Sequence, residues 1–299
     1  GKDYSEADIM GMDHQPVSMI VVGGGYIAME FAHVFEGLGT DVTVDNRSQN
    51  LLRHLDDDLS SRFNQIARDR FDVRIATGTK LEETDKGVRL ELDDGTSVEA
   101  EAILVATGRT PNGDQMDVDE AGIELLADGR IATDEFGRTA AEGVWALGDV
   151  SSPYMLKHVA NAEARAVQHN LLHPEDLHRL PHDNVPAAIF THPQIATVGL
   201  TEKQAREKGF DVAVKVQNFG DVAYGWAMED STGICKLIAD RATGQLLGAH
   251  LMGPQASTLI QQLIAAMAYK LDIREFARNQ YWIHPALPEV IENALLGLE

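Results

Sequence analysis

Near the end of the chain, the stretch RNQYWIHPALPEVIEN sets a histidine, His284, before a proline and a glutamate, Glu289, five residues further on. Glu289 opens an apolar run of helical spacing. A carboxylate so placed can hold an imidazole as a proton acceptor, which is what general acid–base chemistry asks of a histidine. The same residues also fit a plainer role, a buried histidine bonded to a carbonyl and an acid favoured at a helix start by the dipole. The sequence offers one thiol, Cys235, inside the strand-like run GICKLIAD. It reads as a small half-buried side chain, and it has no partner for a disulfide or a zinc site.

A second constellation lies in SMIVVGGGYIAMEFAHVFEGLGTDVTVDNR. Gly23-x-Gly25-x-x-Ala28 fits the dinucleotide fingerprint. Gly23 permits a tight turn, Gly25 lets the backbone approach a pyrophosphate, and Ala28 lets helix pack on strand. The context supports it: Met19–Val22 reads as a buried strand, and Ile27, Phe31, Val34, Phe35 and Leu38 recur at helical spacing until Gly39. Asp41–Asp45 then alternates as a second strand. The free N–H groups and dipole of the intervening helix favour a bound anion. At the end of that second strand, Asp45 argues for a ribose 2′-hydroxyl and hence NADH. Arg47 and Arg53 argue for a 2′-phosphate. The two arginines form the local positive well that an acidic chain needs, so NADPH is expected over NADH.

Further elements must position these groups. VRLELDDGTSVEAEAILVATGR predicts a hairpin and then a continuous apolar strand, Ala102–Ala106. A helix is expected over about 158–172, ending before Pro174. Residues 173–187 hold three prolines without periodicity and read as a linker. Strands are expected at 188–200 and 211–219, a hairpin around DRATG, and helices at 256–270, 272–278 and after His284. Strands followed by helices suggest an α+β domain. His169, His173, His178 and His182 invite a metal reading, His169 and His173 being an i, i+4 pair. Pro174 ends the helix there and no carboxylate or cysteine has zinc-site context, so no metal is expected.

With 47 acidic and 25 basic residues, the formal charge is −22. Nucleic acid and anionic membrane are excluded as expected partners, since both reward clustered Lys and Arg. No apolar run approaches the ~20 residues of a membrane span. The start, GKDYSEADIM, shows no signal peptide, and a cytoplasmic location is expected.

GGGYIAMEFAHVF, ATGRTPN, GVWALGDV, FTHPQIATVGLTE and WIHPALPE occur in that order. Together they resemble the pyridine-nucleotide flavoprotein disulfide reductases, over essentially all 299 residues. The resemblance implies an α/β fold in three parts. These are a Rossmann-like NAD(P)H-binding domain at 1–108, the C-terminal part of an FAD-binding domain at 109–178 and an α+β dimerisation domain at 179–299. It implies FAD and NADPH as cofactors and a homodimer formed through 179–299.

Residue roles follow from the same resemblance. Gly23, Gly25, Ile27 and Ala28 line the pyrophosphate turn. Tyr26 resembles a tyrosine that covers the nicotinamide pocket, and Glu30 a glutamate near the flavin–nicotinamide contact. Arg47 and Arg53 match the pair that binds the 2′-phosphate. NADH-linked members carry a glutamate at the place of Asn46, and Asp45 is one position early. Gly108 and Arg109 of ATGRTPN, and Gly148 and Asp149 of GVWALGDV, join the cofactor set, with Asp149 accepting bonds from the ribityl chain. Backbone at Leu156, Lys157 and His158 resembles the helix start that donates N–H groups to the flavin pyrimidine edge. His284 and Glu289 resemble the pair, supplied by the partner subunit, that keeps a cysteine as thiolate and protonates the leaving thiol.

LKHVANAEARAVQHNLL and QYWIHPALPEVIENALL point to the branch acting on a low-molecular-weight thiol disulfide. The family passes hydride from NADPH to FAD and electrons to a Cys-x4-Cys disulfide, then to substrate. This sequence has no such pair and no earlier fingerprint for the FAD adenosine half. The expectation is therefore a fragment lacking roughly 150 residues upstream. Alone it should bind flavin weakly or not at all, with an open sheet edge prone to aggregation. Two other readings stand beside this one: an NADH-linked dihydrolipoamide dehydrogenase, and a non-catalytic nucleotide-binding or dimerisation module.

Overall fold

The computed structural model describes residues 2–4 (backbone only), 9, 11–118 and 120–298. Two compact units emerge: 1–108 together with 186–299, and 109–185.

The first unit opens with β1 (Lys2–Tyr4), β2 (Ser18–Val22), α1 (Tyr26–Gly37), β3 (Asp41–Asp45), α2 (Asp57–Arg70), β4 (Asp72–Arg74), the strands β5 (Gly78–Thr84), β6 (Gly87–Leu92) and β7 (Ser97–Ala100), and β8 (Ala102–Val105). β1-β8-β2-β3-β4 form a parallel sheet, and β5-β6-β7 an antiparallel meander. A parallel strand covered on both faces must be apolar throughout. Met19, Ile20 and Val21 of β2 are accordingly all fully buried. Met19 and Val21 share a core with Ala28, Met29 and Ala32 of α1, while Ile20 and Ile103 pack with Val88, Leu90 and Leu92 of the meander. The period of two in a strand sends neighbours to opposite faces. Asp56 caps α2, its side chain accepting from Asp58 N–H.

The second unit holds a short turn at Asn112–Gln115, another at Gly148–Val150, and α3 (Lys157–Leu172). Val118, Ile123, Ile131 and Ala146 form its small core. The stretch expected to be a linker is tied down instead. Asn170, fully buried on α3, accepts from His178 N–H at 2.6 Å and donates to His178 O at 2.8 Å, and Leu180 N–H bonds Glu135 O at 2.8 Å. Side-chain amides can replace a secondary-structure ladder, which periodicity does not register.

The first unit resumes with β9 (Ala187–Ile189), β10 (Gln194–Gly199), α4 (Glu202–Glu207), β11 (Val212–Asn218), α5 (Ala223–Ala227), β12 (Ile234–Asp240), β13 (Leu246–Gly253), α6 (Ala256–Leu259), α7 (Gln261–Ala268), α8 (Ile273–Arg278) and α9 (Glu289–Leu296). The strands pair antiparallel in the order β11-β12-β13-β10-β9. The strand expected at 188–200 is two strands that turn back on each other at His192–Pro193, a cis peptide. Proline has no N–H to give a ladder. The helix expected at 256–270 breaks at Ile260, after a start at Gln255 with φ +56. One sheet face packs under α6–α9. From its other side Ile189, Ile195, Ile234 and Met252 enter the core of the parallel sheet. No helix among the described residues is long and apolar enough to cross a membrane.

Candidate functional site

β2 delivers the chain to Gly23, whose φ is +128 and whose N–H bonds Asp45 O at 2.8 Å. A Cβ there would lie 2.3 Å from Ala106 O, so only glycine fits. At Gly25 a Cβ would meet nothing within 4 Å. Gly25 caps α1 without a side-chain bond, and the first turn carries no acidic residue. Gly25 and Tyr26 are exposed, Ile27 and Glu30 half-buried, and Ala28 buried. A solvent-facing helix start with uncapped N–H groups fits a pyrophosphate. Glu30, one turn beyond Tyr26, accepts from Phe190 N–H at 2.8 Å.

The 46–54 loop is pinned to this turn, because Leu52 N–H bonds Gly24 O at 2.7 Å. Asn46 is buried and donates to Ser48 O at 2.6 Å. Arg47 and Arg53 are exposed on the loop, and Arg53 Nε approaches His54 Nε2 at 3.3 Å. Asp45 behaves differently. It is 2% exposed, its Oδ1 has no hydrogen-bond partner, and burial raises its carboxyl above the usual range. A carboxylate turned inward is poorly placed to accept from a ribose in solvent.

In the second unit, Asp149 and Arg109 come together at 3.2 Å, two residues far apart in sequence and both singled out there. Gly148 adopts φ +73, and its N–H bonds Glu163 Oε2 at 2.7 Å. Glu163 is fully buried on α3, its other oxygen 2.6 Å from His182 Nε2. Glu163 thus braces the Gly148–Asp149 turn, a role the sequence reading missed. Its only signal was a lone acid on the buried stripe of a helix. Leu156 caps α3 without a side-chain bond, Lys157 bonds Asn161, and His158 is exposed on the first turn. The Arg109–Asp149 pair and the uncapped start of α3, with no acidic residue in its first turn, suit a polyol chain and an electron-rich ring edge. Gly108, in the first unit, has φ +148.

His284 Nδ1 donates to Glu289 Oε1 at 2.7 Å, and Glu289 Oε2 accepts from Ala286 N–H at 3.0 Å. These two bonds, the histidine's first, hold the Glu289 carboxyl below its usual range. The His284 side chain is 67% exposed while that of Glu289 is 16% exposed, so within this chain it is not the buried histidine of the plainer reading. With Nδ1 occupied, Nε2 has no partner among the described residues and is free for a proton. Tyr281 and Ile283 beside it are 102% and 75% exposed. Cys235 is fully buried in β12 rather than half-buried, and burial pushes its thiol far up, so it is no thiolate for this base.

Lys236 is 2% exposed and meets Asp56 at 2.8 Å, Asp58 at 2.5 Å and Glu202 at 2.8 Å. No local pattern marks this cluster, because its members lie on or at the cap of α2, on α4 and on β12. Of the four histidines considered for a metal, His182 is engaged by Glu163. His169 and His178 stack at 3.6 Å, with Asp176 beside them.

Residues 1–165 match the sequence model of the family described as Pyridine nucleotide-disulphide oxidoreductase. Residues 185–295 match that of its dimerisation domain. Over its full length the chain is 56% identical to a mycothione reductase of Mycobacterium tuberculosis, spanning 66% of that protein. Over 95% of its length it is 37% identical to a dihydrolipoyl dehydrogenase of Halobacterium salinarum, spanning 61% of that one. Among solved structures, LpdA from Mycobacterium tuberculosis superposes with a TM-score of 0.91 at 26% identity, covering 99% of this chain and 64% of that one. The HOCl-induced flavoprotein disulfide reductase RclA from Escherichia coli gives 0.91 at 27%, covering 98% and 68%.

Proposed function

Because the chain belongs to the pyridine nucleotide-disulphide oxidoreductase family, we propose that it serves the NADPH-dependent, FAD-linked reduction of a low-molecular-weight thiol disulfide, of the kind mycothione represents. The observation that carries this reading is the exposed His284 held by Glu289 at 2.7 Å with its Nε2 open.

Each part of the chain has a task. The start of α1 holds the pyrophosphate of NADPH, and Arg47 and Arg53 hold its 2′-phosphate. Tyr26 covers the nicotinamide pocket, and Glu30 stands one turn along the same helix. FAD, when bound, supplies the two-electron carrier between nicotinamide and disulfide. Asp149, oriented by Arg109, accepts hydrogen bonds from the ribityl hydroxyls. The first N–H groups of α3, at Leu156, Lys157 and His158, stabilise negative charge at the flavin pyrimidine edge.

His284 does the proton work. Protonated on Nε2, it gives that proton to the thiolate that leaves when the substrate S–S bond breaks. Glu289 fixes the tautomer through Nδ1 and stabilises the imidazolium. Overall one disulfide, NADPH and a proton become two thiols and NADP⁺. The attacking thiolate is not Cys235, which is shut inside β12. The region 179–299 joins two copies, so that the His284 of one serves the disulfide site of the other; the redox thiol pair itself is not among these 299 residues, whose one cysteine is Cys235.

The test is NADPH consumption by a flavin-loaded dimer that carries these residues together with a redox thiol pair, with mycothione, glutathione disulfide or lipoamide as substrate. Preference for mycothione, and a loss of about 10²–10⁴-fold in turnover for His284→Ala, are expected. Preference for lipoamide with NADH would replace this reading with the dihydrolipoyl dehydrogenase one.

A further inference from the structure

We infer that His169, Asp176 and His178 form a surface site for a late first-row divalent cation of the Zn²⁺ class, in the unit 109–185. His169 sits in the last turn of α3, and the chain turns back after Pro174. That return lays the His178 ring flat on the His169 ring, 3.6 Å between centroids and 11° between planes. Asp176 closes the group: its Oδ2 lies 3.6 Å from His169 Nε2 and 3.9 Å from His178 Nε2. The three donor atoms all fall within 4.8 Å of one another.

Those separations suit a metal. Donors about 2.0–2.2 Å from a tetrahedral ion stand roughly 3.3–3.6 Å apart. An imidazole donates in its own ring plane, so a shared ion requires the His169 and His178 rings, now nearly parallel, to unstack and turn toward each other, which side chains at a solvent-facing edge can do. Two imidazoles and a carboxylate select Zn²⁺, Cu²⁺ or Ni²⁺ over Mg²⁺ and Ca²⁺, which prefer all-oxygen shells. His173, whose ring centroid is 4.8 Å from that of His169, stands next to the group and could take the fourth position.

The juxtaposition does not rest on exposed side chains alone. Asn170 is fully buried and grips His178 through both its backbone N–H and its C=O, while donating also to Phe136 O at 3.1 Å. Asp176 N–H bonds His173 O at 2.9 Å, closing the turn that presents the carboxylate. Pre-organised ligands lose less freedom on binding. One bond must be surrendered, from His169 Nε2 to Asp176 O at 2.9 Å. The affinity expected is therefore micromolar, well short of a closed structural site. The ion would staple the end of α3 to the 173–178 loop.

The experiment is calorimetric titration of the tag-free 299-residue chain with Zn²⁺ alone, beside thermal unfolding with Zn²⁺ or chelator. Expected are one saturable micromolar site per chain and a rise in the unfolding temperature with Zn²⁺. His178→Ala and Asp176→Asn should each weaken binding by about tenfold or more, as loss of a ligand does. His54→Ala, at an exposed histidine elsewhere, should leave it unchanged. The unfolding temperature in chelator reports whether each variant is folded, and Co²⁺ absorption reports the coordination geometry of the unaltered chain. No saturable binding, binding insensitive to both ligand variants, or binding lost with His54→Ala would overturn the site.

Discussion

Glu289 holds two partners with two oxygens, and a single substitution separates them. Glu289→Gln keeps an acceptor for Ala286 N–H but gives up the charge that steadies an imidazolium. Turnover on disulfide should fall about 10²-fold with nucleotide binding unchanged, measured by steady-state kinetics beside nucleotide titration. The Glu289 carboxyl is depressed, chiefly by its bond to His284, so it stays a charged acceptor at neutral pH and loses that charge only as pH falls through the lowered value. The two glycines of the turn separate as cleanly. Gly23→Ala drives a Cβ onto Ala106 O at a φ no alanine favours, and should lower the unfolding temperature. Gly25→Ala meets open space, so it should fold normally and lose pyrophosphate affinity. Arg47→Ala and Arg53→Ala should each weaken nucleotides bearing a 2′-phosphate by about tenfold, and those without it little. Titrating adenosine nucleotides of both kinds into the chain checks this. Asp45, whose letter argues for NADH, is buried with its Oδ1 unpartnered, which the letter alone does not show. A residue letter carries chemistry but not direction.

The buried ammonium of Lys236 joins elements that the sequence keeps far apart. Asp56 caps α2 and also accepts from Glu202 N–H, at the start of α4. Burial disfavours the charge on Lys236, but three carboxylates outweigh it and push its pKa well up. Burial likewise raises Asp56, yet its bonds leave it lowered, and Glu202 is lowered chiefly by Lys236. Asp56 and Glu202 stabilise the fold above their unfolded pKa of about 4, and that contribution is lost as acid reaches their depressed values. Lys236 contributes fully below its unfolded value of about 10.4 and loses it only as pH rises through the raised folded one. The plateau lies between. Lys236→Met should cost about 3 kcal/mol at neutral pH, because it strands the buried Asp56 carboxylate, while the more exposed Asp58 and Glu202 can turn to water. The deficit should shrink on acidification, as urea unfolding across pH would show. α2 itself escaped notice because DDLSSRFNQIARDR is mostly polar. Only Leu59, Phe63 and Ala67, four apart, mark its buried stripe. The strand around Gly23 was legible because both its faces are buried and its letters are apolar throughout.

At the scale of the molecule, the parallel sheet, the antiparallel sheet and the His284–Glu289 contact were all readable, since each is local in sequence or rests on a motif. What was not readable was tertiary: the brace of Glu163, the anchoring of 173–185 by Asn170, and the Lys236 cluster. These depend on which distant residues meet. The exposed Tyr281 and Ile283 beside His284 lie in the region matched to the dimerisation domain. Ile283→Asp should shift the chain from dimer to monomer by light scattering, because it puts a charge where a partner would exclude water.

The core around β2 includes Ile189, Ile195, Ile234 and Met252 from the far end of the chain. Nucleotide-binding folds are commonly treated as interchangeable cassettes. Here, excising 1–108 for transplantation would leave one wall of that interior behind, and the cassette would carry a raw apolar face into its new host. On the proposed reading, a change of cofactor preference would be sought by exchanging the 46–54 loop, not the domain.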